Sequence, residues 1–222
     1  MGYTVHPLRL AEVNLAGKYN PPSFADARIP VYGCLILGNT EVVLVDTGVG
    51  SGHTYIERTF APEITPIADA LAEFGVTPDD VALVVNSHLH FDHCGNNSLF
   101  KRAHFFVQQR ELSVARAGQY TIEAWFDFPG AQIVAVEGDA ELVEGIQLLA
   151  TPGHTPGHQS VLVETKQGQE LIVAQAAFSR DEFARGGDPD VQAHEGLVAE
   201  YVSSIRCLQS LNVERTYLSH EA

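Results

Sequence analysis

The segment Asn86-Ser87-His88-Leu89-His90-Phe91-Asp92-His93-Cys94-Gly95 places three imidazoles and a carboxylate within six residues, directly after the apolar run Val81-Ala82-Leu83-Val84-Val85. His88 and His90 are two apart, so an extended segment projects both to one side. Asp92 and His93 follow where the chain turns, and they address a neighbouring position. Imidazole with carboxylate suits zinc or another borderline first-row cation. The bland alternative is a chance cluster of surface histidines in a chain with ten of them. The H-x-H-x-D-H spacing behind a buried strand argues against it. Cys94, inside the motif, reads as a small packing residue.

The elements that must position this segment alternate between strand and helix. Strands are expected over residues 29–37 and 41–46, joined by a Gly38-Asn39 turn, and again over 81–85, 103–107, 132–136, 146–150, 160–164, 171–174 and 216–219. A helix is expected after Thr65 as cap, with Pro66 at its first position and Gly75 at its end. Ile67, Ala70, Leu71 and Phe74 give that helix one apolar stripe, and Val198, Tyr201, Val202, Ile205 and Leu208 do so for a later helix. Alternation of this kind implies sheets covered by helices. The halves echo each other, because Val43-Leu44-Val45-Asp46-Thr47-Gly48 and Leu171-Ile172-Val173-Ala174-Gln175-Ala176 are both apolar strands that break into small residues. A single domain over residues 1–222 is the natural division.

Composition narrows the function classes. With 45% hydrophobic and 18% charged residues the chain is no disordered tail. A formal charge of −15 argues against a nucleic-acid binder, which needs a basic stripe. The start lacks a basic segment followed by an apolar one, so no signal peptide is expected, and no apolar run approaches the ~20 residues of a membrane span. Cys34, Cys94 and Cys207 are far apart and odd in number, which fits free thiols in a reducing cytoplasm. The partner is therefore a small molecule, with neither nucleic acid nor membrane; the oligomeric state, monomer or homodimer, stays open.

H-x-H-x-D-H resembles the signature of the metallo-β-lactamase superfamily, and the family's other landmarks follow in order. Asp46-Thr47-Gly48 resembles its early strand-end aspartate motif, Thr151-Pro152-Gly153-His154-Thr155-Pro156-Gly157-His158 its third-histidine loop, and Ser219-His220 its late strand-end histidine. The resemblance spans about residues 30–220. It implies an α/β fold, an αββα sandwich of two mixed β-sheets covered by helices, with metals at one edge of the sheets. It also implies that His88, His90 and His154 bind one metal and that Asp92, His93 and His220 bind a second. Zinc is the expected ion, with iron or manganese as alternatives. Asp46 and His158 are expected behind the ligands, fixing their orientation. His6, His53, His104 and His194 have no ligand-like neighbours and read as surface or packing residues.

The chemistry so implied is hydrolysis by a metal-bound hydroxide. A zinc-type ion lowers the pKa of bound water from 15.7 to about 7, and Asp92, the expected catalytic residue, orients that water or accepts its proton. No G-x-S-x-G elbow occurs. The pattern is closest to the acyl-homoserine-lactone lactonases, so the expected substrate is a small ester, lactone or thioester. Two departures stand out. Gln175 occupies the position of the family's metal-bridging aspartate, so one tight and one weaker metal are expected. Phe178 falls where the lactonases commonly carry a tyrosine that polarises the substrate carbonyl. Tyr120, Trp125, Phe126 and Phe128 either wall an apolar pocket or pack their segment onto the body. The rival functions are a mononuclear iron oxygenase of the same fold and a catalytically weakened metal- and ligand-binding protein.

Overall fold

Continuous apolar strands need cover on both faces, and the architecture supplies it. The computed structural model describes residues 2–15, 28–38, 41–118 and 121–221. Among these, β1 (Thr4–Asn14), β2 (Arg28–Leu37), β3 (Val42–Val45), the short β4 (Glu63–Ile64), β5 (Leu83–Val85), β6 (His104–Gln108) and β7 (Gln132–Val136) form one sheet in the order β4-β1-β2-β3-β5-β6-β7. Its β3, β5, β6 and β7 run parallel, while β1 pairs antiparallel with β2 and β4, and β2 with β3. The second sheet has the order β12-β11-β10-β9-β8, from β8 (Ala140–Val143), β9 (Ile146–Ala150), β10 (Gln159–Thr165), β11 (Gly168–Ala174) and β12 (Arg215–Leu218). Only its β11–β12 pair is parallel.

The helices are α1 (Thr54–Phe60), α2 (Ile67–Ala72), α3 (Gln109–Arg116), α4 (Glu123–Phe126), α5 (Arg180–Arg185), α6 (Pro189–Gln192) and α7 (Val198–Gln209). Strand alternation decides which layer each side chain enters. Val43, Val45 and Val85 meet Val161, Val163 and Ile172 between the sheets. Leu44 and Val84 turn outward onto Ile67, Ala70 and Leu71 of α2. Leu162, Leu171 and Val173 turn outward beneath Tyr201, Ile205 and Leu208 of α7, each such side chain contributing about 1.5–3 kcal/mol on burial. The result is the expected αββα sandwich of two mixed sheets.

Several elements differ in detail from the sequence-based expectation. Thr65 caps nothing: Pro66 is the N-cap of α2, and the helix stops at Ala72. Phe74 therefore lies beyond the helix, exposed, with its ring 4.6 Å from that of His6. The helical stripe ends before Phe74, where Gly75 with φ 70° reverses the chain. Val198, also assigned to a buried face, is half exposed. β1 has no counterpart among the expected strands, because a register shift between Arg9 and Ala11 breaks its alternation. Asn39, in the expected turn, lies outside the described residues. The echo between the halves has a backbone counterpart: the residues ending its two strand runs, Asp46 and Ala174, are both left-handed, with φ 62° and 55°. Such a conformation costs a non-glycine residue roughly 1–2 kcal/mol.

Candidate metal centre

Each predicted ligand sits just beyond a strand end. His88, His90, Asp92 and His93 follow β5, His154 lies in the β9–β10 loop, Gln175 follows β11 and His220 follows β12. The β5 loop is stitched to the segment after β3. Thr47 N–H donates to the His93 carbonyl at 2.7 Å and Gly95 N–H to that of Gly48 at 2.8 Å. A Cβ on Gly95 would lie 1.9 Å from Gly50 N, so only glycine permits this approach. Asn97 ties the loop inward, accepting from Thr47 at 2.8 Å and donating to Asn86 at 2.9 Å.

His88, His90 and His154 form one triad whose ligand atoms all lie within 4.8 Å of one another. His90 Nδ1 is 2.9 Å from His88 Nε2 and 3.2 Å from His154 Nε2. The outer nitrogens of two rings are committed elsewhere. His88 Nδ1 lies 3.1 Å from Ser87 Oγ, and His154 Nδ1 lies 3.3 Å from the Gln192 carbonyl. Donation to those oxygens leaves the inward nitrogens with their lone pairs. Burial and the neighbouring rings depress all three pKa values, His90 to about 3 and the others well below the usual imidazole range. The rings are therefore neutral at physiological pH, the state a ligand requires.

Asp92, His93 and His220 form the second triad, likewise within 4.8 Å. Asp92 Oδ2 is 3.8 Å from His93 Nε2 and 3.9 Å from His220 Nε2. His220 donates from Nδ1 to the Pro30 carbonyl at 2.9 Å. Its buried Nε2 has no hydrogen-bond partner, and burial holds its pKa down to about 4. His93 behaves differently. Burial alone would depress it, but Asp92 and Asp46, with hydrogen bonds to Asp46 and Gln175, raise its pKa instead. Gln175 Oε1 lies 3.0 Å from His93 Nε2, so the amide oxygen is at this triad.

Asp46 serves both triads. Its carboxylate accepts from His93 Nδ1 at 2.7 Å, from Ser87 N at 2.7 Å and from Ser87 Oγ at 2.6 Å. Since Ser87 Oγ also contacts His88, one buried carboxylate fixes the tautomer of a ligand in each triad. The His88 and His93 rings are 4.0 Å apart, which joins the triads into one centre. Both triads suit a first-row cation by the same test: lone pairs that repel each other at these separations, and an orphaned buried imidazole nitrogen, are satisfied together by a positive ion.

The remaining expectations divide. His158 donates or accepts at Thr151 Oγ1, 2.8 Å away, with its ring 5.4 Å from that of His88, so it stands behind the first triad. Cys94 is wholly buried with Leu89, Val107, Leu112 and Phe126. Phe178 stacks on His220 with centroids 4.5 Å apart and planes 22° apart, bringing a ring but no hydroxyl to the rim. Of the aromatic segment, Phe126 is core and the half-buried Phe128 packs edge-on to Phe105, as the packing alternative expects. Trp125 lies against Gly50 and His53. Tyr120 lies outside the described residues. His104 is exposed, and His6 pairs with Thr4. Sequence reasoning missed Ser87 and the buried Glu111. Ser87 adjoins the motif, a signal that was available; Glu111 lies in an unremarkable helix and carries none.

Comparison with known proteins agrees with this geometry. The family model described as the metallo-beta-lactamase superfamily matches residues 29–220. An N-acyl homoserine lactonase of Bacillus thuringiensis is 35% identical over 182 residues, covering 73% of this chain and 72% of that protein. A solved N-acyl homoserine lactone hydrolase, with the product N-hexanoyl-L-homoserine bound at its catalytic metal centre, superposes with a TM-score of 0.79 at 27% identity over 99% of this chain and 93% of that one. A dizinc quorum-quenching lactonase, at 16% identity and a TM-score of 0.71, covering 99% of this chain and 87% of that one, shares the fold. The order of motifs, the paired triads and these matches agree: the chain belongs to the metallo-β-lactamase superfamily, on its lactonase-like branch.

Proposed function

We propose that this protein is a metal-dependent hydrolase that opens a small lactone, with simple esters and thioesters as related substrates. The observation that carries this reading is the pairing of two ligand triads at one rim in a chain 35% identical to an N-acyl homoserine lactonase. The homoserine product held by the solved hydrolase supports an acylated homoserine lactone as the first substrate to try.

His88, His90 and His154 hold one cation through neutral nitrogens, and Asp92, His93 and His220 hold a second. Zinc is the first choice for this nitrogen-rich set, ahead of iron and manganese. Bound there, a first-row cation supplies Lewis acidity and a water whose pKa is brought to about 7. Asp92 is the catalytic residue: its carboxylate reaches toward both imidazoles of its triad and accepts or steers the proton of the attacking water. Asp46 and Ser87 keep His88 and His93 in the ligating tautomer. Gln175 offers only an amide dipole where a carboxylate would add charge, so the second site is the weaker. Phe178 closes the rim beside His220 without polarising a carbonyl, leaving that task to the centre itself. The three cysteines remain unpaired, which supports a reducing, cytoplasmic setting. Among the described residues no helix is long and apolar enough to cross a membrane.

The test joins metal analysis to a substrate panel of acyl homoserine lactones, simple lactones, aryl esters and thioesters. The expected result is lactone opening that chelation abolishes and zinc restores. Less than about a tenth of a first-row metal per chain, after expression in supplemented medium, would overturn it, since a His-rich site holds zinc tightly. So would oxygen uptake by iron-loaded protein without lactone opening.

A further inference from the structure

Glu111, on the first turn of α3, is wholly buried between the two loops that carry the all-imidazole triad. Its Oε1 accepts the backbone N–H of Leu89, the residue between His88 and His90, at 2.8 Å. Its Oε2 accepts the Thr155 hydroxyl at 2.7 Å and the Gly157 N–H at 3.0 Å, just after His154. Thr155 is itself fully buried. A Cβ on Gly157 would lie 2.2 Å from Glu111 N, so glycine there is what lets loop and helix meet. An ionised carboxylate accepts only, and burying one is costly unless donors surround it. Here donors come from both ligand loops, and bonds to a charged acceptor are about twice as strong as neutral ones.

We propose that Glu111 is a positioning residue for the first metal: it clamps the His88–His90 segment to the His154 loop, so that three nitrogens from two loops converge. The clamp rests on the reading of that triad as a metal site. It acts at one remove from the ligands, through Leu89 N, Thr155 and Gly157 N. Asp46 cannot substitute for it, because Asp46 grips only the β5 loop.

Glu111→Gln keeps size and shape but turns one acceptor into a donor, which then faces a backbone N–H on one side or the other. Zinc affinity is read by competition with a chromophoric chelator, and coordination geometry by the absorption of the cobalt-substituted protein. For Glu111→Gln, affinity at the tighter site falls about 10- to 100-fold and the cobalt spectrum changes, the size of effect seen when outer partners of metal ligands are lost. Thr155→Val, which removes one bond and preserves shape, weakens binding by a few-fold, and Thr155→Ser restores it. Affinities within about twofold of the parent in both Glu111→Gln and Thr155→Val would overturn the clamp while leaving the metal site standing. If Glu111→Gln does not fold, Thr155→Val decides alone by the same criterion. A parent protein that binds no zinc would overturn both the metal-site reading and the clamp, which separates the two failures.

Discussion

The two triads meet one demand, convergent ligands in a buried place, with opposite electrostatics. His88, His90 and His154 are three neutral rings whose pKa values burial has lowered, so no proton stands in the way of a cation. His93 in the other triad is flanked by Asp92 and Asp46, which raise its pKa. Its Nδ1 faces the Asp46 carboxylate and its Nε2 the Gln175 amide oxygen. A cation entering there competes with a proton for the Nε2 lone pair. Carboxylates around an imidazole thus make a more basic ligand and a stronger competitor for protons. The neutral triad is the ready site, and the charged triad is the conditional one.

Removing a ligand from the ready site breaks the comparison hardest. His154→Ala leaves two nitrogens and is expected to lower kcat/KM at least about a thousandfold, since the Lewis-acid contribution is worth several kcal/mol. It should also remove the tighter equivalent in a zinc titration. Near-parental turnover in this variant would show that the first triad is not where the chemistry happens.

Charge at the conditional site is the next lever. Gln175→Asp puts a carboxylate beside His93 and should tighten the weaker zinc equivalent roughly tenfold, an effect of about 1.4 kcal/mol. The tighter equivalent should not move. Calorimetric titration of parent and variant reads both numbers, and two equally tight sites in the parent would remove the distinction.

Acid acts on the stability of chelator-stripped protein through several rings at once. The unfolded imidazole titrates near 6.5, while His90 in the fold titrates at about 3, with His88 and His154 also lowered. Below pH 6.5 the unfolded chain therefore binds the extra protons first, and stability falls with acid by up to about 1.4 kcal/mol per pH unit for each such ring. His93 opposes this: its stabilisation is full below pH 6.5 and is lost as pH rises through its higher folded value. His158 and His220 are lowered as well, so one raised ring against five lowered ones leaves a net loss. The melting temperature of stripped protein should drop by several degrees between pH 7 and pH 5, and a flat profile would contradict the assignment of neutral rings.

Much of this centre was legible in the chain alone. Ligand type and spacing are local properties, so H-x-H-x-D-H, the His154 loop and His220 stood out without coordinates. Apolar, β-branched runs bounded by turn residues announce strands even at a sheet edge, which is why 132–136 and 146–150 match β7 and β9 residue for residue. Where alternation was broken by a bulge, as in β1, or a helix lasted barely more than a turn, as in α2, the periodic signal failed. Tertiary structure alone decided which triad carries charge. Asp46 and His93 are 47 residues apart in sequence, as their 2.7 Å contact records, and nothing local couples them. It likewise placed Glu111 under two loops, set Gln175 against His93, and laid Phe128 edge-on to Phe105. A side chain's type is written at its own position. Its pKa, its tautomer and its role depend on which distant groups folding brings within a few ångströms.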